Sequence, residues 1–176
     1  MGRWLALSAA RAGYQVLLED VMPANLRHAR EDLHRQLGAE APGQIAGAAP
    51  CIVYVSSIED AVRSADLAID CVPDELESKL EILWLLDRMA PPRTVLATPT
   101  TRLSIADLAN CTNRPDQCVA IAAEASSLAA GASTEILIRT SSHTSGETVA
   151  LLDRFWRRLG FIPTFAPDPA ENSTDL

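Results

Sequence analysis

The chain is 176 residues long, with 48% hydrophobic and 22% charged residues, a balance that suits one folded domain and excludes global disorder. Fifteen basic residues against twenty-three acidic ones leave a formal charge of -8, which argues against a nucleic-acid or anionic-membrane surface, since either needs a basic face. No apolar run reaches the roughly 18 residues of a membrane span and no signal-peptide pattern opens the chain; with Cys51, Cys71, Cys111 and Cys118 scattered, a reduced cytoplasmic protein with buried thiols is expected.

Short β-rich runs alternate with helical patterns, the signature of a parallel sheet with crossover helices. Arg3 to Ala12 reads as a helix closed by Gly13, and Tyr14 to Leu18 as an apolar strand running into Glu19 and Asp20. Pro23 can open a second helix with Leu26, Ala29, Leu33 and Leu37 on one face. Gly38 to Pro50, rich in Gly, Ala and Pro, is the longest loop candidate. Cys51 to Val55 reads as a strand, Ile58 to Ala65 as a short helix, and Leu67 to Val72 as a buried strand by its unbroken apolarity. Glu75 to Met89 is a helix stopped by Pro91 and Pro92, Thr94 to Thr98 a strand, and Ser104 the cap of a short helix carrying Ile105 and Leu108. Cys118 to Ala122 and Glu135 to Ile138 read as further strands, separated by an Ala/Ser-rich stretch with no clear period. Thr144 to Glu147 begins a last long helix to Leu159, and Gly160 leads into strand Phe161 to Phe165. The polar tail from Pro167 is expected to fray, and no repeat or domain linker is visible.

Four landmarks carry more than secondary structure. They are Met1-Gly2 with Ala12-Gly13-Tyr14 and Val16 to Asp20; Asp66 to Asp74 with Lys79 five residues on; Leu96-Ala97-Thr98-Pro99-Thr100-Thr101-Arg102-Leu103-Ser104-Ile105; and Thr144 to Val149 running on to Leu159-Gly160. In this order and spacing, from Met1 to about Asp168, they resemble the NAD-binding domain of the 3-hydroxyacyl-CoA dehydrogenases of fatty-acid oxidation. The resemblance implies an α/β, Rossmann-type doubly wound and mostly parallel sheet over 1–168; the family continues from there into a helical domain, and in its place a polar tail, 169–176, with no C-terminal helical domain, is expected here. It implies NAD as cofactor and an acyl-CoA-type small molecule as partner, with room for a homo-oligomer and with no nucleic acid or membrane.

The dinucleotide site also has a reading from the residues themselves. A glycine at a helix start lets a pyrophosphate approach the amides and positive dipole of the first turn, and an acid about 20 positions on accepts hydrogen bonds from the ribose. Gly2 and Asp20 stand in these places, and an acid there favours NAD over NADP. The full fingerprint needs two earlier glycines and a strand, so an N-terminally truncated domain is expected. Asp74 and Lys79 resemble the family's acid and lysine near the nicotinamide and CoA; Lys79 is the only lysine against fourteen arginines. The alternative for these two is an exposed charge pair on a helix.

The implied reaction is hydride transfer between NAD and a 3-hydroxyacyl-CoA, in which a base takes the hydroxyl proton. In the family a His does so, oriented by a Glu twelve residues later. Glu135 matches that Glu, but Ala123 stands where the His belongs. Pro99 replaces the family Asn, and Thr101 stands for its substrate-facing Ser. Glu124 adjoins the Ala and could substitute as base if burial raised its pKa. His28, His34 and His143 read as exposed, and no metal-ligand grouping is visible. The main alternative to a dehydrogenase domain is a non-catalytic relative that binds a nucleotide or a partner protein.

Overall fold

The structure is a computed structural model that describes residues 1–38, 51–123 and 134–170. It divides into two compact units, Met1–Val62 and Arg63–Leu176. The division falls within the segment expected as one helix from Ile58 to Ala65; the helix ends at Val62.

The first unit contains α1 (Gly2–Arg11), β1 (Gln15–Glu19), α2 (Pro23–Gly38), β2 (Cys51–Val55) and α3 (Ile58–Val62). Its α1 ends because Gly13 takes a φ of 82°, which lets the Gly13 and Tyr14 amides donate to the Ala10 and Ala9 carbonyls. This paired closure satisfies orphan carbonyls and re-aims the chain into β1. β1 and β2 pair in parallel, from Gln15 opposite Cys51 to Glu19 opposite Val55. Ala6 and Leu7 of α1 meet Leu33 of α2 in the core, with Val16, Leu18, Ile52 and Tyr54 packed against them. His28 and His34 face outward on α2, as expected. The loop expected after α2 lies outside the described residues from 39 to 50.

The second unit contains β3 (Leu67–Ile69), α4 (Leu76–Met89), β4 (Val95–Pro99), α5 (Ile105–Ala109), β5 (Cys118–Ile121), β6 (Glu135–Thr140), α6 (Gly146–Arg158) and β7 (Ile162–Pro167). The strands form one sheet in the order β3-β4-β5-β6-β7, parallel throughout except where β6 runs against β5. Every residue of β4 and β5 is buried, as parallel strands covered on both faces require. Ser104 and Ser145 cap α5 and α6 by accepting from the Asp107 and Thr148 amides. Trp156, wholly buried on α6, packs edge-on against Phe161 at 5.6 Å. At the far end of α4, Asp87 accepts from Arg114 Nε at 2.8 Å and Asn113 Nδ2 at 2.7 Å, and Arg114 donates on to the Pro91 carbonyl at 2.5 Å.

Three expectations change. β3 stops at Ile69 rather than Val72, because Asp70 turns inward to a buried charge and residues 71–75 leave the sheet. The thiols are not uniformly buried: Cys118 is, Cys111 partly so, and Cys51 and Cys71 are exposed. The tail does not fray at Pro167, since β7 includes it and Asp168 is buried beyond. Asp168 Oδ2 accepts from Ser104 Oγ at 2.9 Å and the Ala106 amide at 3.1 Å, and its amide donates to Thr140 O at 2.8 Å.

Burial opposes ionisation of Asp168, yet hydrogen bonds from the Ala106 and Ala170 amides and the Ser104 hydroxyl hold its carboxyl below the ordinary range. A carboxyl lowered on folding contributes stability above its unfolded pKa, near 4, and loses it as pH falls through the folded value. Asp168→Asn is therefore expected to cost about 1–3 kcal/mol at pH 7. In urea melts the gap to wild type should shrink below about pH 4; a gap that does not change with pH would refute the ionised-cap assignment.

Candidate nucleotide and substrate site

In the first unit, Gly2 is the first residue of α1, Met1 makes no side-chain cap bond, and the first turn carries no acid. The positive end of the helix dipole therefore meets no acidic side chain of its own first turn. Asp20 follows β1 directly. Its Oδ1 accepts from the Met22 amide at 2.8 Å, and both oxygens lie 3.1 Å from Asn25 Nδ2. These bonds fix the carboxylate at the end of the strand and leave it acceptor capacity, since an ionised carboxylate offers about four lone-pair sites. Neighbouring Glu19 is pushed up by burial and by the Asp20 charge.

In the second unit, the structure separates the two residues that the sequence pairs. Lys79 is 0% exposed and its ammonium lies 2.6 Å from Asp70 Oδ1, nine residues earlier. Lys79 is thus neither a surface cation for a phosphate nor half of an exposed pair with Asp74. Both readings are corrected by burial: an ammonium sealed on a carboxylate has no free face for an anion. Burial pushes the Asp70 carboxyl up, and the Lys79 charge and hydrogen bond pull it back.

Asp74 instead joins the loop after β4. Its Oδ2 accepts from the Thr101 amide at 3.3 Å and lies 3.8 Å from Arg102 Nε, while Arg102 Nη2 donates to the Asp74 carbonyl at 2.6 Å. Asp74 Oδ1 is buried with no hydrogen-bond partner. The loop is braced from within and from below. Thr100 Oγ1 accepts from the Arg102 and Leu103 amides at 3.3 and 3.0 Å, and Arg139 Nη2 donates to the Thr100 carbonyl at 2.6 Å. Thr101 itself is exposed.

Arg102 and Arg139 were not singled out by the sequence. The available signal for Arg139 was a charge inside an apolar strand, Ile136 to Ile138 preceding it. Glu135 opens β6 exposed, opposite Ile162, while Ile136 and Ile138 turn to the core. The Ala123 amide donates to the Ile121 carbonyl at 2.9 Å, and its methyl carries no proton-transfer group. Glu124 lies outside the described residues. His143 is exposed in the turn before α6, as expected.

Parallel strands with helices between them, a bare helix start, and an acid at the end of the next strand define a dinucleotide-binding α/β domain. Residues 1–166 match the family model described as the 3-hydroxyacyl-CoA dehydrogenase NAD-binding domain, and the chain belongs to that family. It is 32% identical over 125 residues to a probable 3-hydroxybutyryl-CoA dehydrogenase of Bacillus subtilis, covering 68% of this chain and 43% of the relative. It is 31% identical to the 3-hydroxyadipyl-CoA dehydrogenase of Escherichia coli, covering 66% of this chain and 26% of the relative. Among solved structures, the 3-hydroxybutyryl-CoA dehydrogenase of Escherichia coli matches with a TM-score of 0.82 at 26% identity, over 96% of this chain and 36% of that one. The chain thus spans less than half the length of these relatives. No described helix is long and apolar enough to cross a membrane.

The domain's cofactor is NAD, and the residues present fit it. Within the first unit the uncapped first turn of α1 suits a pyrophosphate and Asp20 suits a ribose diol. Within the second unit, taken by itself, Asp74 Oδ1 is buried without a partner and suits an N–H or O–H donor.

Removing one partner of a buried ion pair leaves the other charge uncompensated. Lys79→Met is expected to cost about 3–5 kcal/mol by urea unfolding, and Asp70→Asn in the same chain to restore most of it. A Lys79→Met protein as stable as wild type would show that the pair is not the buried contact described.

Proposed function

We propose that this chain is the nucleotide-binding part of an oxidoreductase that moves a hydride between NAD and a 3-hydroxyacyl-CoA. The observation that carries the reading is the pairing of Asp74 with the Thr101 loop at the carboxyl ends of β3 and β4, where open α/β sheets bind their ligands. Bound NAD supplies the hydride acceptor. The first-turn amides from Gly2 hold the pyrophosphate. Asp20 accepts from the adenosine ribose and repels a 2′-phosphate. Asp74 accepts from a donor group of the cofactor through its free oxygen, and the Thr101 hydroxyl hydrogen-bonds the substrate oxygen. Lys79 serves from beneath, through Asp70.

The proton is where the reading narrows. Glu135 takes the place of the family's orienting acid, Ala123 moves no proton, and Glu124 is the substitute base in this proposal. A slow dehydrogenase follows, working on an acyl-CoA-type molecule in the cytoplasm, with residues 1–168 as the domain, 169–176 as a tail, and a homo-oligomer as its assembly. The family's fingerprint carries its other glycines on a strand ahead of the position of Gly2, so the test adds such a strand. A second reading, a non-catalytic nucleotide- or partner-binding relative, is favoured by the same Ala123.

NADH titration by fluorescence, on the chain with and without a family strand fused ahead of Gly2, separates these readings. Asp20→Ala should weaken NADH binding about tenfold or more, equivalent to about 1.4 kcal/mol, with little effect on NADPH. Acetoacetyl-CoA reduction that disappears in Glu124→Ala supports the substitute base. Binding without turnover selects the second reading, and no NADH binding by either form rejects both.

A further inference from the structure

Residues 71–75 and 100–104 are the two loops that meet at the carboxyl ends of β3 and β4, through Asp74 and Thr101. Their one basic side chain is Arg102, which is 71% exposed, against 29% for Asp74. The neighbouring cations are turned elsewhere: Lys79 is sealed on Asp70, and Arg139 is buried and donates to the Thr100 carbonyl. Arg102 is therefore the cation that these loops offer to a ligand.

The guanidinium is also held in place. Its Nη2 donates to the Asp74 carbonyl at 2.6 Å, and its Nε lies 3.8 Å from Asp74 Oδ2, too far for a hydrogen bond. Among the described residues the bond to the Asp74 carbonyl is the only hydrogen bond its side chain makes, so its other N–H donors, those of Nη1 included, are open to an acceptor. The same Asp74 Oδ2 accepts from the Thr101 amide. One aspartate thus ties down both the exposed Thr101 and the guanidinium beside it.

The chemistry of this arrangement selects the ligand group. The chain carries a net charge of -8, and Asp74 and Glu75 stand on the 71–75 loop, so an anionic ligand needs a local cation here. A guanidinium takes a carboxylate or a phosphate through paired N–H···O bonds, a geometry that a lysine ammonium lacks. The tether to Asp74 meets part of the ordering cost before the ligand arrives, which leaves more of the contact as affinity.

We propose that Arg102 is a specificity residue that holds an anionic oxygen group of the substrate beside Thr101. The group is a carboxylate at the far end of the acyl chain or a phosphate of coenzyme A. This rests on the function proposed above, in which the Thr101 hydroxyl hydrogen-bonds the substrate oxygen. It narrows the substrate class from any acyl-CoA to one that presents a negative charge next to that hydroxyl.

The test is isothermal titration of the full chain with glutaryl-CoA, pentanoyl-CoA and free coenzyme A, repeated on Arg102→Ser and Arg102→Lys. With an acyl carboxylate as the anion, glutaryl-CoA binds about tenfold tighter than pentanoyl-CoA. Arg102→Ser then removes that preference and Arg102→Lys keeps part of it. With a coenzyme A phosphate as the anion, all three ligands weaken about tenfold in Arg102→Ser and lose their salt dependence. In both cases NADH affinity stays within about twofold of wild type, a change of about 0.4 kcal/mol or less. A brace without a ligand role weakens NADH and all three ligands together, and that result overturns the proposal. So do affinities that Arg102→Ser leaves unchanged, or a glutaryl preference that survives it; either leaves the proposed function standing. If the wild type binds none of the three, the acyl-CoA reading itself is rejected, and the role of Arg102 with it.

Discussion

The second unit depends on one buried ion pair. Lys79 and Asp70 both have fully buried side chains, 2.6 Å apart. Neither charge could be left alone at that depth, because an unpaired ion in the interior costs several kcal/mol. The pair therefore fixes where α4 sits on the end of β3 and forces Asp70 out of the apolar strand pattern. Everything after Asp70 inherits that constraint: residues 71–75 leave the sheet, and Asp74 is delivered to the loop after β4 instead of to Lys79.

A second layer of polar contacts rests on this one. The Thr100–Leu103 loop is held by its own threonine hydroxyl, by Asp74 and by Arg139, three different elements converging on a few residues. Such bracing suits a loop that must present a hydroxyl in a defined place. A ligand-binding group gains most when its ordering cost is met before the ligand arrives. Asp168 acts similarly at the other end of this segment, binding the first turn of α5 from beyond β7.

Membership in the dehydrogenase family and the departures from its pattern concern different parts of the chain. In the proposed reading the cofactor elements are the Gly2 helix start, the acid after β1 and the acid of the 71–75 loop. In the same reading the proton-transfer position is Ala123, whose methyl group moves no proton. Binding and chemistry can therefore be lost separately in this domain.

The sequence by itself determined the order and type of the elements. Glycines after α1 and α6, serine caps, prolines and apolar runs act within a few residues, so they are readable without knowing the fold. The place of Asp20 at the end of a strand was legible from the residues, whereas Asp74 and Thr101 were pointed to only by the family resemblance, and the structure brings these two together. Other features were not legible. Nothing local distinguishes Lys79 from a solvated helix lysine, and its partner nine residues away is chosen by how α4 packs on β3. Asp168 belongs by composition to a polar tail, and Arg139 is one more arginine among fourteen. Their roles depend on contacts 39 to 64 residues apart, Arg139 with Thr100 and Asp168 with Ser104. The tertiary structure decided which charges are buried and what they hold, because only packing sets the desolvation that makes a partner obligatory.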